Sequence, residues 1–362
     1  MLKDLFKQIF QPTPPFRFDF IQVEVSALCN ASCPYCVHGC YGEIWGGGLI
    51  EMDTFRRLKG SFGSSNLVFL QGWGEPLLHP RIWEMVRMVK EEGTKVGFTT
   101  NGTLLTTENR QHVMDSGMDI MGISLAGATP ETHKKLRRGI SFEGIDAALK
   151  AFRKLRERSH GKAPNLHIAF MLLKSNWQEL DLLLDLADRW GLDLADRWGV
   201  NEIVISNLDL VGNREMEEES LLVHSELWHE VVAALEKTKE AASKMGIHLH
   251  YYGPDIGDTC AQCKENILRS CVISYEGNVT PCVMVNISLK GGDSGHFIFK
   301  RQPHPVEKYI FGNVNDTPLE EIWNSEKARQ FREDFRKRME MESPGMQCLP
   351  GPCRNCYKLL AK

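Results

Sequence analysis

Apolar, β-branched runs alternate along the chain with segments whose apolar positions have helical spacing. The apolar runs predict six strands, near residues 21–27, 67–71, 95–100, 120–125, 166–172 and 202–207. Helix-like segments such as residues 80–92 and 142–157 follow them. This alternation is typical of repeated βα units around a mostly parallel sheet. Six such units, connected with the usual right hand, predict an α/β fold with a partial (β/α)6 TIM-like barrel.

The pattern changes after the sixth strand. A long charged helix is predicted from about residue 215 to 245, and short segments rich in glycine and cysteine follow with little periodicity. We therefore place a domain boundary near residue 250. The expected division is an N-terminal extension over residues 1–20, the barrel over 21–250, and a small cysteine-rich α+β domain over 251–362.

The eight residues LDLADRWG occur twice in tandem, at 184–191 and 192–199. At about 100° per residue, eight inserted residues rotate a continuous helix face by roughly 80°. Trp198 would then point well away from the direction of Trp190. We expect the second copy to be accommodated at the helix end, where Gly191 is able to cap the first copy.

Composition and charge narrow the classes of partner. The 362 residues are 42% hydrophobic and 25% charged, which is ordinary for a globular protein. A formal net charge of −4 provides no global basic field for a nucleic acid or an anionic membrane. We find no signal-peptide pattern at the start and no stretch approaching the roughly 18 apolar residues of a membrane span. We expect a cytoplasmic protein with neither nucleic-acid nor membrane partner.

Eleven cysteines gather towards the two ends of the chain. In a reducing compartment, such grouping indicates metal binding rather than disulfides. The groups are Cys29, Cys33, Cys36 and Cys40, then Cys260, Cys263, Cys271 and Cys282, and finally Cys348, Cys353 and Cys356.

The first group contains a C-x3-C-x2-C run directly after the first predicted strand. Cys29, Cys33 and Cys36 place three thiolates within eight residues, enough to hold three corners of a four-iron cluster and leave one iron open. Taken alone, the run is also compatible with a zinc site completed by His38 or Cys40, or with three buried thiols.

This cysteine spacing resembles the signature of the radical S-adenosylmethionine (SAM) superfamily. The resemblance implies a 4Fe–4S cluster on Cys29, Cys33 and Cys36, whose open iron binds SAM. One electron from the cluster would cleave SAM to a 5′-deoxyadenosyl radical. A reductant protein such as ferredoxin or flavodoxin is implied as the electron source.

Further motifs extend the resemblance over the barrel. The run QGWGEP at 71–76 resembles the family's GGEP loop, where glycines allow close backbone approach and Glu75 supplies an acceptor for the SAM ammonium. Two strand ends, at Asn101 and Ser124, resemble the family's ribose-contacting segments. The run that ends at Gly139 resembles a family segment whose Arg pairs with the SAM carboxylate. The run EIVISNL at 202–208 resembles the strand that packs against the adenine. The implied SAM-binding residues are Gly72, Trp73, Gly74, Glu75, Asn101, Ser124, Arg138 and Ile205.

Residues 260–362 resemble the cysteine-rich extension called SPASM or, in its shorter form, twitch. Seven cysteines lie beyond residue 250 and none lies in 283–347, which favours one probable auxiliary cluster over two. The spacing assigns this cluster, of the 4Fe–4S type, to Cys263, Cys282, Cys353 and Cys356. For Cys260, Cys271 and Cys348 the roles stay open, and spare structural thiols are one interpretation.

Together the motifs imply an enzyme that starts by removing hydrogen from an unreactive C–H bond. The implied substrate is a peptide, a protein or a small-molecule precursor in cofactor or peptide maturation. The alternative is an iron–sulfur electron carrier or a zinc-binding structural protein with no reaction of its own. That alternative explains the cysteines but leaves residues 72–76, Asn101, Ser124 and Arg138 unexplained.

Overall fold

Seven consecutive strands lie side by side in chain order and run parallel to one another. The computed structural model describes residues 17–159, 163–191, 202–251, 263, 265–292, 294–341, 349–354 and 356–357. Six of the strands correspond to the six predicted from the sequence, and the seventh is an addition. Strands β1 to β7 span Phe20–Val23, Leu67–Phe69, Lys95–Thr100, Ile120–Leu125, Asn165–Leu172, Glu202–Asn207 and His248–Tyr251.

Helices between the strands cover one face of this sheet. The helix over Ile82–Glu91 shows why: Ile82, Met85, Val86 and Val89 are buried at helical spacing, which forms one apolar stripe towards the strands. Helices α1 to α8 span Val37–Tyr41, Met52–Arg57, Lys59–Phe62, Ile82–Glu91, Thr107–Asp115, Pro130–Leu136, Phe142–Arg158 and Leu182–Trp190. Helices α9 to α12 span Arg214–Glu219, Trp228–Lys244, Leu319–Trp323 and Glu326–Met339.

Strand alternation divides the side chains between an outer, helix-covered face and an inner face. Phe98 of β3 points outwards, with its ring centroid 6.0 Å from that of Trp83 on α4. Its neighbour Thr99 is in register with Gly122 of β4, which is in register with His167 of β5. A Cβ atom on Gly122 would lie 2.3 Å from His167 Nε2, so these residues share the inner face. The inner face is therefore partly polar, as a binding surface requires.

The predicted long helix over 215–245 is interrupted. It consists of α9, two short 3-10 turns at Leu221–Val223 and Ser225–Leu227, and α10. Ser220 leaves the helix with φ −77° and ψ 117°, and its buried Oγ accepts a hydrogen bond of 2.7 Å from the Tyr357 hydroxyl. The interruption therefore comes from a contact with the far end of the chain, which a local helical pattern does not contain.

The first copy of the tandem repeat ends α8 as expected. Gly191 adopts a left-handed conformation with φ 80°, and its N–H donates to the carbonyls of Ala187 and Asp188. This is the usual C-cap role of glycine. The second copy, 192–199, lies outside the described residues, as do Cys260 and Cys348.

The cysteine-rich C-terminal region adds strands to the same sheet. Strand β8 pairs with β1 in parallel, β9 pairs with β8 in antiparallel orientation, and β12 pairs with β9. Strands β10 and β11 form a separate hairpin. Strands β8 to β12 span Ser270–Ile273, Asn278–Thr280, His296–Phe299, Gln302–Pro305 and Gly312–Asn313. Within the described part of the chain, no helix is long and apolar enough to cross a membrane.

Candidate functional site

The three cysteines of the C-x3-C-x2-C run lie close together between β1 and α1. Cys36 starts α1, and its N–H donates to the Cys33 carbonyl at 3.0 Å. Burial, followed by the neighbouring Cys33 thiol, raises the pKa of Cys36 to about 12. Burial also raises the pKa of Cys29. Partly buried, mutually close thiols are the donor set that an iron–sulfur cluster takes, and none of the described cysteines forms a disulfide.

The fourth cysteine of this group has a different environment. The Cys40 thiol donates to the Pro34 carbonyl at 3.3 Å, and it packs against Gly212, where a Cβ atom would lie 2.6 Å from Cys40 Sγ. Burial raises the pKa of Cys40 to about 11. Cys40 thus packs between its own loop and the segment after β6.

The arginine next to the thiols is Arg137, whereas the sequence favoured the neighbouring Arg138. Arg137 is 6% exposed, and its Nη1 donates to the Tyr35 hydroxyl at 3.4 Å. Burial opposes its charge, but Tyr35 and the thiols of Cys33, Cys29 and Cys36 outweigh burial and raise the pKa of Arg137. The Arg138 side chain is exposed. The reason is that Arg137 ends α6 facing inwards, which turns the next side chain towards solvent.

The glycine loop, residues 71–76, packs against the segment that leads into Cys29. A Cβ atom on Gly74 would lie 2.3 Å from the Leu28 carbonyl oxygen, so this close approach requires glycine. Trp73 is half-buried, and its backbone N–H donates to Glu24 Oε1 at 2.9 Å. A Cβ atom on Gly72 would lie 2.2 Å from Glu24 Cγ. The glycine loop therefore contacts the Leu28 backbone through Gly74 and the Glu24 side chain through Gly72 and Trp73.

Glu75 connects the glycine loop to the end of β3. Its carboxylate accepts hydrogen bonds from Thr100 Oγ1 and the Asn101 N–H, each at 2.7 Å, and from the Leu77 N–H at 3.1 Å. Burial raises the pKa of Glu75, and these donors oppose the rise.

Asn101 directly follows β3 and lies beside Cys29, whereas Ser124 lies within β4. Asn101 Nδ2 is 3.7 Å from Cys29 Sγ and donates to Asn30 Oδ1 at 2.8 Å. Ser124 is half-buried on the inner face, in register with Ala169. The structure thus brings Asn101, Glu75 and the cysteine loop together.

Ile205 faces the helix layer, whereas the sequence expectation placed it among the residues that bind SAM. It is 1% exposed and in register with Phe170, on the face opposite to Ser124. Strand alternation is the reason, because successive side chains point to opposite faces. The inner-face residues of β6 next to it are Val204 and Ser206, both half-buried.

A second group of cysteines lines one cavity in the C-terminal region. Its members are the four assigned from spacing: Cys263, Cys282, Cys353 and Cys356. Within the described residues, no three His, Cys, Asp or Glu side chains are placed to hold a single metal ion, and the four thiols surround the cavity instead. Its remaining walls are Glu265 and the apolar side chains of Ile267, Pro281, Met284, Val285, Phe297, Val306, Phe331, Phe335 and Pro352.

The environment of these thiols suits a group with several metal ions. Burial raises the pKa of Cys282, and Glu265 and the Cys356 and Cys263 thiols add to the rise. Burial also raises the pKa of Cys353, and the thiols of Cys282, Cys356 and Cys263 add to the rise. Cys271, by contrast, is fully buried on β8 and is not part of the cavity wall. Four sulfurs around an apolar cavity fit a cluster ligated by all four thiolates.

Sequence reasoning missed two residues of the candidate site. Arg137 had a signal, because the run from Glu131 to Gly139 fits E-x-H-x3-R-x-G with Arg137 at the arginine position. Glu24 also had one, as a lone acid within the apolar run IQVEVSAL, on the inner face of the sheet.

Comparisons with known proteins match two parts of the chain to families. Residues 23–187 match the model of the radical SAM superfamily, and residues 259–357 match SPASM, an iron–sulfur cluster-binding domain. The tungsten-containing aldehyde ferredoxin oxidoreductase cofactor-modifying protein of Pyrococcus furiosus is 28% identical, over 86% of this chain and 83% of that protein. The PqqA peptide cyclase of Gluconobacter oxydans is 23% identical, over 96% of this chain and 84% of that protein.

A solved structure has the same fold. Streptococcus suis SuiB, bound to the precursor peptide SuiA, gives a TM-score of 0.61 with 13% sequence identity. The match covers 95% of this chain and 70% of that chain.

Proposed function

The chain belongs to the radical SAM superfamily and carries a SPASM domain, and from this premise we propose that it is a maturase of a cofactor or peptide precursor. It is an enzyme that uses a 4Fe–4S cluster, SAM and auxiliary iron–sulfur chemistry. The proposed reaction begins with hydrogen abstraction from an unreactive C–H bond of the precursor. The observation that carries the proposal is the proximity of Asn101, Glu75 and Arg137 to the three cysteines.

Cys29, Cys33 and Cys36 would hold the first cluster. When bound there with SAM, the cluster supplies the electron for the cleavage that gives a 5′-deoxyadenosyl radical. Arg137 would offset the negative charge of the thiolates, because its guanidinium is buried beside them and stays protonated.

The glycine loop and the strand ends would bind SAM. Gly72, Trp73 and Gly74 offer backbone groups close to the cysteine loop, and the open glycine backbone permits the approach. Glu75, itself fixed by Thr100 and Asn101, would face the SAM ammonium. Ser124 would contact the ribose from the inner face, and Val204 and Ser206 replace the Ile205 side chain as the proposed β6 contacts. Arg137 replaces Arg138 as the proposed partner of the SAM carboxylate.

Cys263, Cys282, Cys353 and Cys356 would hold one auxiliary cluster in the apolar cavity. A cluster with all corners occupied by thiolates relays electrons and does not bind substrate. The protein's contribution around it is exclusion of water by the aromatic and aliphatic walls.

The substrate class comes from the relatives. The Pyrococcus furiosus relative is a cofactor-modifying protein, and it aligns with most of this chain. We therefore propose a cofactor or peptide precursor as the substrate, ferredoxin or flavodoxin as the reductant, and the cytoplasm as the location, where thiols stay reduced for cluster assembly.

The first prediction tests this function with the anaerobically reconstituted, reduced chain and SAM. We expect 5′-deoxyadenosine from the wild type and none above background from a variant with Cys29, Cys33 and Cys36 replaced by alanine. The matched control is Cys40→Ala, which removes the thiol that donates to Pro34 and should keep the cleavage activity. A wild type as inert as the triple variant would end the proposal, and stimulation by fractions of a metabolite or peptide extract would identify the substrate.

A further inference from the structure

Glu24 is a buried carboxylate for which the proposed chemistry has no use. It lies on the inner face of the sheet directly after β1 and is 4% exposed. Its two oxygens have different partners. Oε1 accepts from the Trp73 N–H at 2.9 Å, and Oε2 accepts from the Tyr275 N–H at 3.3 Å. One carboxylate therefore joins the glycine loop to the turn between β8 and β9.

The contacts around Glu24 are close enough to fix the position of both partners. The Cβ position of Gly72 is filled by the Glu24 side chain, at 2.2 Å from Cγ and 2.5 Å from Oε1. On the other side, the Tyr275 hydroxyl donates to the Gly46 carbonyl at 2.6 Å, which holds the turn against the segment that follows α1. Gly277 completes this turn with φ 88°.

We propose that Glu24 is a positioning residue that holds the glycine loop against the Tyr275 turn, so that SAM affinity depends on contact between the barrel and the C-terminal cysteine-rich region. This inference rests on the proposed function. Glu24 acts through the Trp73 backbone and needs no contact with SAM. Removal of either hydrogen bond would leave a buried N–H without a partner, which favours movement of the loop.

The ionised form of Glu24 is the form that accepts from both N–H groups. Burial raises the pKa of Glu24 to about 7; the N–H groups of Trp73 and Tyr275 oppose the rise, and the charge of Glu276 adds to it. When the pH falls through this value, the carboxyl becomes protonated and one oxygen turns from acceptor to donor. The other titratable groups nearby are Glu276, the Tyr275 hydroxyl, whose pKa is raised to about 12, and Glu75 in the same loop. His38 lies against the Trp73 backbone, and burial lowers its pKa.

The second prediction compares SAM dissociation constants of reconstituted wild type, Glu24→Gln and Glu276→Gln at equal iron content. Glu24→Gln retains the size of the side chain, but its amide has only one oxygen that accepts hydrogen bonds, and the other terminal group is an NH2 donor. We expect its dissociation constant at pH 8 to rise about five- to tenfold, a change in the range of one ordinary hydrogen bond. Glu276→Gln changes an exposed charge nearby and should stay within about twofold of wild type.

Two further readouts separate positioning from a general loss of stability. Between pH 8.5 and 6.5 the wild-type dissociation constant should rise as Glu24 becomes protonated, and Glu24→Gln should lack this part of the profile. Glu24→Gln should also melt at the same temperature as wild type or higher at pH 8, because a raised pKa means that the ionised group opposes folding above its unfolded pKa.

A double-mutant cycle keeps the test independent of any single variant. Gly72→Ala forces a Cβ atom into the space of Glu24 and should weaken SAM binding, whereas the same change should add little in a Glu24→Ala background. Additive effects, or a Glu24→Gln variant with wild-type affinity and pH profile, would overturn the inference. A wild type with an intact cluster and no affinity for SAM would instead overturn the proposed function and this inference with it.

Discussion

Two consecutive arginines with the same chemistry have different environments. Arg137 is buried beside three thiols and Tyr35, while the Arg138 side chain is exposed and its backbone carbonyl accepts from the Ser32 N–H at 3.1 Å. A buried charge must be paired to be tolerated, whereas an exposed one is solvated at little cost. The third prediction uses this contrast.

Arg137→Met should weaken SAM binding at least about tenfold, or about 1.4 kcal/mol, and lower the iron content after reconstitution. The physical reason is that the thiolates, and in the proposal the SAM carboxylate, lose the buried guanidinium beside them. Arg138→Met is the matched control and should change affinity less than about twofold. Equal losses in both variants, measured by equilibrium dialysis and iron analysis, would contradict the assignment to Arg137.

At the scale of elements, α8 is already complete without the second copy of the repeat. The first copy buries Leu186, Ala187 and Trp190, and Trp190 Nε1 donates to Asp146 at 3.0 Å. Gly191 then ends the helix. Deletion of residues 192–199 leaves Val200 and Asn201 before β6, within the roughly two to six residues usual for such a connection.

The fourth prediction is that deletion of residues 192–199 leaves SAM cleavage near wild type and changes stability only modestly. Since the copies are identical, point variants must tell them apart. Trp190→Ala should lower the free energy of unfolding by about 3–5 kcal/mol, because it leaves a cavity under α8. Trp198→Ala should lower the free energy of unfolding far less, as measured in the same denaturation experiment. Loss of cofactor binding or of folding on deletion would show that the second copy is integral.

The sequence predicts the strands of the sheet better than the break between α9 and α10. Strands β1 to β6 follow from apolar runs, because each lies in a buried parallel sheet. The division of α9 from α10 does not, because it depends on the contact between Ser220 and Tyr357. The same holds within strands: composition identifies EIVISNL as a buried strand, but only its register with β5 places Ile205 on the outer face.

At the scale of the whole molecule, the predicted auxiliary ligands converge although they are far apart in sequence. Cys263 and Cys282 lie before the hairpin of β10 and β11, and Cys353 and Cys356 follow α12. Cysteine spacing pointed to the same four residues that line the cavity, and their role as ligands stays a prediction. The contacts of Glu24 could not be predicted from the sequence, because both of its hydrogen-bond partners belong to distant segments.

The fifth prediction is an iron content of about eight per reconstituted chain, from one open cluster and one with four thiolate ligands. Replacement of both Cys353 and Cys356 by alanine should remove about four of these irons. The matched control is Cys271→Ala, since this buried thiol lies outside the cavity and its loss should leave the count near eight. A wild-type count near four or near twelve would contradict the assignment.

The parallel pairing of β1 with β8 also has a consequence for how the chain folds. Phe20 is in register with Ser270, so β1 finds one of its two neighbours only after a much later part of the chain has been synthesised. Until then, β1 presents an unpaired edge close to the loop that carries Cys29, Cys33 and Cys36. Pairings of such high contact order form slowly and expose intermediates to aggregation. In the nascent chain, this edge of β1 therefore stays unprotected until β8 has been synthesised.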